Sequence, residues 1–388
     1  MKGFKNVWVY TNELGIVKTS IAVENGLIVD IGNNLILDET YDIPADTVVT
    51  AGFIDEHIHG CNGADGMDGS IEAIKTISSG LTQEGTTAFL VTTMTQSKAN
   101  IKKALSAVNE YIAGDFACGA RVLGVHLEGP FISELHIGAQ PLEYILQPNI
   151  EVFKEFEEAS GNNIKMVTIA PEKCVDNGLI GYLLSKNIVV SVGHSNAKYS
   201  EIERAINNGL SSVTHTFNAQ KPLHHREVGV VGSAMLFDEL SCELIADLIH
   251  VSRPAIKLLL KNKPKGKIIL VTDSIRAKGL ADGLSELGGQ QVYVKGGRAT
   301  LKNGALAGSI LKMNTAVKNL VKICKIPFNE AIDAATINPA KNLGLDKQMG
   351  SIAIGKNADF TVLNKHFEVV LTVIGGHVAF NNINKSAL

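Results

Sequence analysis

The sequence predicts an α/β chain: a parallel (β/α)8, TIM-like barrel with a second, small β-sandwich domain built from both termini. Three observations carry this. From Val48 onward, eight apolar strand-like runs alternate with longer stretches of helical periodicity, the pattern of parallel strands joined by helical crossovers. Both ends of the chain read instead as short strands punctuated by Asn and Gly. Ionisable side chains gather at or just past the C-terminal ends of the barrel runs, the rim where such barrels carry their chemistry. The expected division is a small β domain at 1–49 and 350–388 and a barrel at 50–349. A doubly wound open sheet competes, but no Gly-x-Gly-x-x-Gly follows the first barrel strand.

Residues 7–10, 16–23 and 27–31 are the first strand runs. Asn12, Asn25-Gly26 and Gly32-Asn33-Asn34 separate them, and Asn25-Gly26 is a strong hairpin signal. Barrel strands are expected at 50–55, 86–93, 121–127, 164–170, 188–192, 211–215, 242–248 and 267–272. Helical spacing of apolar residues predicts crossover helices over 71–84, 98–113, 150–160 and 199–208. Gln290 to Lys295, Gly296-Gly297, then 298–302 and Asn303-Gly304 read as a β-ribbon inserted after the last barrel strand. Helices follow over 309–324 and 328–343, and short strands over 350–380 complete the small domain. No internal repeat is present.

A formal charge of -3 gives no reason to expect nucleic acid or a membrane surface as partner. The short basic run Lys261-Asn262-Lys263-Pro264-Lys265 reads as a solvated loop. The five cysteines, Cys61, Cys118, Cys174, Cys242 and Cys324, are scattered and odd in number, without a Cys-x-x-Cys. That argues against a disulfide framework and for a reducing compartment. Cys61, just past the first barrel strand, reads as a packed free thiol. The first ten residues lack a signal-peptide apolar region, and no apolar run is long enough to span a bilayer. The expectation is a cytoplasmic protein.

The chemistry centres on His57-Ile58-His59-Gly60, where an apolar run ends. Residues two apart on a strand face the same side, so His57 and His59 point together into one cavity. Alone, such a pair is more often two polar side chains at a strand end. Here Glu128, His194, His215, His250 and Asp273 each end or follow another apolar run. A single such residue is easily structural; this many on one rim point to a site. Three His, or two His with a carboxylate, leave one position open, as catalytic metal sites do. A divalent ion there lowers the pKa of water toward neutrality. Asp273, at the last strand, is the candidate general base, and metal-assisted hydrolysis the implied reaction class.

These motifs resemble the amidohydrolase superfamily and, within it, the deacetylases of phosphorylated amino sugars. The resemblance covers nearly the whole chain. It rests on Ala51-Gly52-Phe53-Ile54-Asp55, which lacks the usual Pro, leading into His57-Ile58-His59-Gly60. It continues with His126-Leu127-Glu128-Gly129-Pro130, Gly193-His194-Ser195, Thr214-His215-Thr216-Phe217-Asn218-Ala219, Thr272-Asp273-Ser274 and Leu306-Ala307-Gly308-Ser309. The tail 350–359 is common to the wider superfamily.

The resemblance implies that Glu128, His194 and His215 hold a principal metal. It implies that His57 and His59 make a second site, with Glu128 bridging: one or two divalent ions per chain, zinc or iron first, manganese or cobalt after them. Asp273 would act as general base and then as acid to the leaving amine. Asn218, the Ala219 backbone N–H, Arg226 and His250 would bind the sugar phosphate; the planar fork of Arg226 suits a phosphate. Many relatives carry a His where this chain has Gln140, which donates a hydrogen bond but carries no charge; Gln140 is expected to bind substrate. His136 does not take that place without a shift in the loop.

The implied reaction removes the acetyl group of N-acetylglucosamine 6-phosphate, giving acetate and the free amine. The implied partners are this phosphorylated amino sugar and a second copy of the chain in a homodimer. Two other readings compete. One is an amidohydrolase acting on a cyclic amide or an amine, which would leave Arg226 without a partner. The other is a non-catalytic metal-binding relative, against which an intact Asp273 argues.

Overall fold

The computed structural model describes residues 1–114, 116, 119–174 and 178–383. Eight strands form one parallel sheet in chain order: Phe53–Ile58, Thr86–Thr92, Arg121–Glu128, Ile164–Ile169, Val189–Val192, Leu210–Val213, Ser241–Leu244 and Ile268–Leu270. Below, these are the first to eighth strands. The first and eighth lie side by side: Asp273 N–H donates to His57 O at 2.8 Å and His59 N–H to Ser274 O at 2.9 Å. The Asp55 carboxylate adds bonds from the Thr272 hydroxyl and backbone N–H.

The second strand, Thr86–Thr92, is buried along its whole length. That explains its near-continuous apolar and Thr sequence, since a strand covered on both faces need not alternate. The crossover helices form where the 3.6-residue spacing places them. Ile71–Leu81 is capped by the Ser70 side chain and buries Ile74, Ile77 and Leu81. Lys98–Ala113 is capped by Ser97 and buries Ile101, Leu105 and Val108. Each such fully buried aliphatic contributes roughly 1.5–3 kcal/mol.

The chain ends share a second sheet, in the order His377–Asn381, Val369–Ile374, Phe360–Leu363, Val48–Ala51, Lys2–Thr11, Gly15–Glu24, Leu27–Gly32, with Glu39–Thr40 beside Lys2–Thr11. Phe4, Val9, Ile21, Val49, Phe360, Val362 and Val373 pack together on it.

The run expected as one strand over 50–55 is cut at Gly52. Val48–Ala51 pairs with Lys2–Thr11 and Phe360–Leu363, and only Phe53–Ile58 enters the parallel sheet. A Cβ at Gly52 would lie 2.1 Å from Thr87 Oγ1, so the passage between sheets requires glycine. The inserted ribbon has three strands, Gly283–Leu287, Gln290–Lys295 and Arg298–Thr300. The first was missed because its residues, Gly-Leu-Ser-Glu-Leu, are mostly exposed and lack strand patterning. The helix expected over 309–324 begins at Met313 and turns into a wider-pitched segment, Asn319–Cys324. That expected over 328–343 breaks at Thr336 into Phe328–Ala335 and Ile337–Asn342.

The basic run at 261–265 is not wholly solvated. Lys263 is buried, with its ammonium on Phe237 O at 2.6 Å. Cys61, Cys174, Cys242 and Cys324 are buried free thiols; Cys118 lies outside the described residues. No described helix is long and apolar enough to cross a membrane.

Candidate active site

The C-terminal ends of the parallel strands surround a cavity of about 270 Å³. His59, Glu128, Gln140, His194, His215, Asn218, Ala219, His250 and Asp273 line it. His57 lies directly behind, fully buried. Glu128 is the centre. Its Oε1 is 3.1 Å from His194 Nε2, 3.0 Å from His215 Nε2 and 3.6 Å from His57 Nε2. Its Oε2 is 3.4 Å from His59 Nε2. Asp273 Oδ1 faces the same two first-strand histidines, 3.6 Å from His57 Nε2 and 3.2 Å from His59 Nε2.

Register and strain both aim these groups. His57 and His59 converge because the first strand alternates sides. His194, His215 and Asp273 lie just past the fifth, sixth and eighth strands with φ of 48°, 30° and 46°, and Ala219 has φ 48°. Outside the rim, Asn6, Asn25, Asn62, Asn162 and Asn187 take the same region, as do Lys325 and Phe367; Asn, Asp and His are the non-glycine residues that enter it most often. In a non-glycine residue the conformation costs roughly 1–3 kcal/mol and persists where surrounding contacts impose it, and such residues cluster at active sites.

The electrostatics follow from burial among mixed charges. Burial alone would raise Glu128, but the charge of His57 and the bonds from His194 and His215 hold it well below the usual carboxylate range. Asp273 also feels a large burial penalty, yet its bond to His59 and the charge of His57 bring it down to about 2. Burial would lower His57, but the carboxylates of Glu243 and Glu128 push it up to about 10.

Two groups of side chains place ligand atoms close enough to hold an ion at the rim: Glu128, His194 and His215, and His57, His59 and Glu128. One observation tests the fit. His57 Nε2 is buried without a hydrogen-bond partner among the described residues, while Nδ1 is already bound. A buried, unpartnered ring nitrogen facing two carboxylates suits a divalent cation that takes the place of its proton, and imidazole with carboxylate donors suits first-row metals.

The other expected residues divide. His250 lines the cavity with Nδ1 on Asp247 Oδ2 at 2.6 Å. Burial would lower its pKa, but the bond to the Asp247 carboxylate raises it. Asn218 donates to His215 O at 3.1 Å. Gln140 donates to Glu128 Oε2 at 2.8 Å and accepts Thr95 N–H at 2.7 Å. His136 gives only its carbonyl to the site, receiving His194 Nδ1 at 2.9 Å. Arg226 is exposed, lies outside the cavity lining, and rests on His225 Nε2 at 2.8 Å. Sequence reasoning missed Glu243, buried beside His57 and His215. Its signal was a carboxylate inside the strand run, between Cys242 and Leu244.

The family model described as "Amidohydrolase family" matches residues 48–379. This chain belongs to the amidohydrolase family. It is 44% identical over 346 residues to the N-acetylglucosamine-6-phosphate deacetylase of Bacillus subtilis (strain 168), covering 89% of this chain and 87% of that protein. It is 34% identical over 327 residues to the N-acetylgalactosamine-6-phosphate deacetylase of Escherichia coli O157:H7, covering 84% and 86%. The crystal structure of N-acetylglucosamine-6-phosphate deacetylase from Thermotoga maritima matches 98% of this chain and 100% of that one, with TM-score 0.89 and 36% identity.

Proposed function

We propose that this amidohydrolase removes the N-acetyl group of N-acetylglucosamine 6-phosphate, giving glucosamine 6-phosphate and acetate. The observation that carries this is the likeness to the deacetylases across most of the chain's length. It favours deacetylation over a cyclic-amide or amine substrate and over a non-catalytic role. The cavity agrees with a phosphorylated amide: a carboxylate-histidine floor for the acyl group and, on the wall, His250, whose pKa the Asp247 carboxylate raises.

In this reading Glu128, His194 and His215 hold one divalent ion, and His57 and His59 with Glu128 hold a second. Zinc or iron is proposed first, manganese or cobalt after them. Such ions, when bound, would supply Lewis-acid polarisation of the acetyl carbonyl and activation of water. Asp273, kept ionised, takes the proton of the attacking water and returns it to the nitrogen, because an amine leaves poorly as its anion. Asn218, the Ala219 N–H, His250 and Arg226 are the proposed sugar-phosphate contacts. Gln140 would reach a substrate oxygen by giving up its bond to Glu128.

The parallel sheet is proposed as a closed TIM-like barrel, supported by the bonds joining its first and eighth strands; its start, expected at 50, moves past Gly52 because Val48–Ala51 pairs in the terminal sheet. The terminal sheet is proposed as a separate small β-sandwich domain, expected over 1–49 and 350–388 and extended to Ala51 by its strand Val48–Ala51. A homodimer is proposed from the family likeness alone, and a cytoplasmic location from the scattered free thiols.

Acetate release tests the function. N-acetylglucosamine 6-phosphate should be hydrolysed faster than its unphosphorylated form and than a cyclic amide, with N-acetylgalactosamine 6-phosphate as the epimer control. No acetate from either phosphorylated sugar, by protein loaded with a divalent ion, would overturn the proposal.

A further inference from the structure

Glu243 stands in the seventh strand, fully buried. Its Oε2 accepts two hydrogen bonds, from His57 Nδ1 at 2.9 Å and from the backbone N–H of His215 at 2.9 Å. One carboxylate therefore holds the ring of a residue on the first strand and the main chain of a residue past the sixth. Its Oε1 is buried and has no hydrogen-bond partner among the described residues.

We infer that Glu243 is a positioning residue that clamps both ion-holding groups at once, orienting the His57 ring and fixing the strained backbone of His215. This rests on the proposed metal reading. Imidazole has two nitrogens, and the one bound to a carboxylate keeps its proton. With Nδ1–H on Glu243, Nε2 is the atom left for an ion. That nitrogen faces Glu128 and Asp273, at 3.6 Å from each.

The second arm acts on the main chain. His215 has φ 30°, a conformation an L-residue rarely adopts. A charge-assisted bond from its N–H holds that turn, which points Nε2 at Glu128 at 3.0 Å.

A rival reading makes Glu243 itself a ligand, since His57, His126 and Glu243 also group closely. The hydrogen bonds argue against it. His126 has Nε2 on the Thr168 hydroxyl at 2.7 Å and Nδ1 near Glu56 O at 3.2 Å. His57 Nδ1 and Glu243 Oε2 already satisfy each other. Both ring nitrogens of His126 and Nδ1 of His57 are thus spent, and the open His57 Nε2 faces Glu128 and Asp273, so the unpartnered Glu243 Oε1 has no open imidazole of that group aimed at it.

Two substitutions separate the arms. Glu243→Gln keeps one acceptor oxygen but removes the charge; Glu243→Ala removes both. The first readout needs no metal. In ¹⁵N-histidine-labelled, metal-free wild type, His57 should show a far-downfield Nδ1–H proton. It should move upfield in Glu243→Gln and vanish in Glu243→Ala. The second readout is ion affinity, by competition with a chromophoric chelator using zinc. Glu243→Gln should weaken the ion that uses His57 by roughly 10–100-fold, the usual cost of losing a ligand's partner. The ion on Glu128, His194 and His215 should weaken clearly only in Glu243→Ala. A downfield proton persisting in Glu243→Ala, or wild-type affinities in both variants, would overturn the clamp. Wild type that binds no zinc would overturn the metal reading instead, and the proton signal would still decide the clamp.

Discussion

The carboxylate-histidine floor of the cavity and the loop that carries Arg226 were both expected to carry function, and they are built differently. The floor is buried, and strand register and backbone strain bring Glu128 within 3.1 Å of His194 and 3.0 Å of His215. The loop carries His224, His225 and Arg226 in the open, where their contacts are with one another. Groups fixed at strand ends are preorganised before any ligand arrives; groups on an exposed loop are free to be organised by one. Disturbing the floor should therefore change turnover, and disturbing the loop should change substrate affinity.

The largest expected effect breaks the floor outright. Chelation should abolish acetate release, and a divalent ion should restore it. Full turnover by protein with no measurable metal would end the hydrolytic scheme. An ion content near one per chain would retire only the second site.

Next is Asp273→Asn, which keeps the shape and removes the basic oxygen. Positioned acid–base catalysis is worth roughly 10²–10⁴-fold, so kcat should fall by that order. Ion content should stay near wild type if Glu128, His194 and His215 suffice. A variant keeping most of its kcat with normal ion content would move the proton transfer to another group.

The loop sharpens the contrast. Arg226→Ala should raise KM for the phosphorylated sugar and leave kcat nearly unchanged. A lost charge-assisted bond is worth roughly 1.5–3 kcal/mol, about 10–150-fold in affinity. An equal change for the unphosphorylated sugar would show that Arg226 does not read the phosphate.

The same contrast explains what could be read from the sequence. His57 and His59 were readable because strand alternation fixes which side chains share a face. Glu128, His194, His215 and Asp273 were readable because each ends an apolar run, and apolar runs became the parallel strands. Glu243 was passed over because it lies inside its strand, where an isolated acid gives no spacing rule. Gly52 was passed over because a change of sheet leaves the apolar run unbroken; only the approach of Thr87 demands glycine. Arg226 shows the limit in the other direction. Its charge suits phosphate, but nothing in the sequence of an exposed loop says where the guanidinium rests.

The smallest expected effect is on pH, and it tests whether the floor is charged before an ion arrives. Burial, the largest influence, favours neutral His57, but Glu243, Glu128 and Asp273 overcome it and raise the ring to about 10. At neutral pH the metal-free protein then carries a proton on Nε2, where an ion would sit. Uptake must release that proton, so affinity for the ion using His57 should rise about tenfold per pH unit from roughly 7 to 9. Stability of the metal-free protein should run the other way. A pKa raised above the ordinary value of about 6.5 stabilises the fold fully below that pH, and the contribution is lost as pH rises through about 10. Chelator competition at three pH values, corrected for the chelator's own protonation, measures the first slope; thermal unfolding of metal-free protein measures the second. The loop has no part in either, so Arg226→Ala should leave both slopes unchanged. A pH-independent affinity, with no proton released on binding, would mean that His57 is neutral before the ion binds.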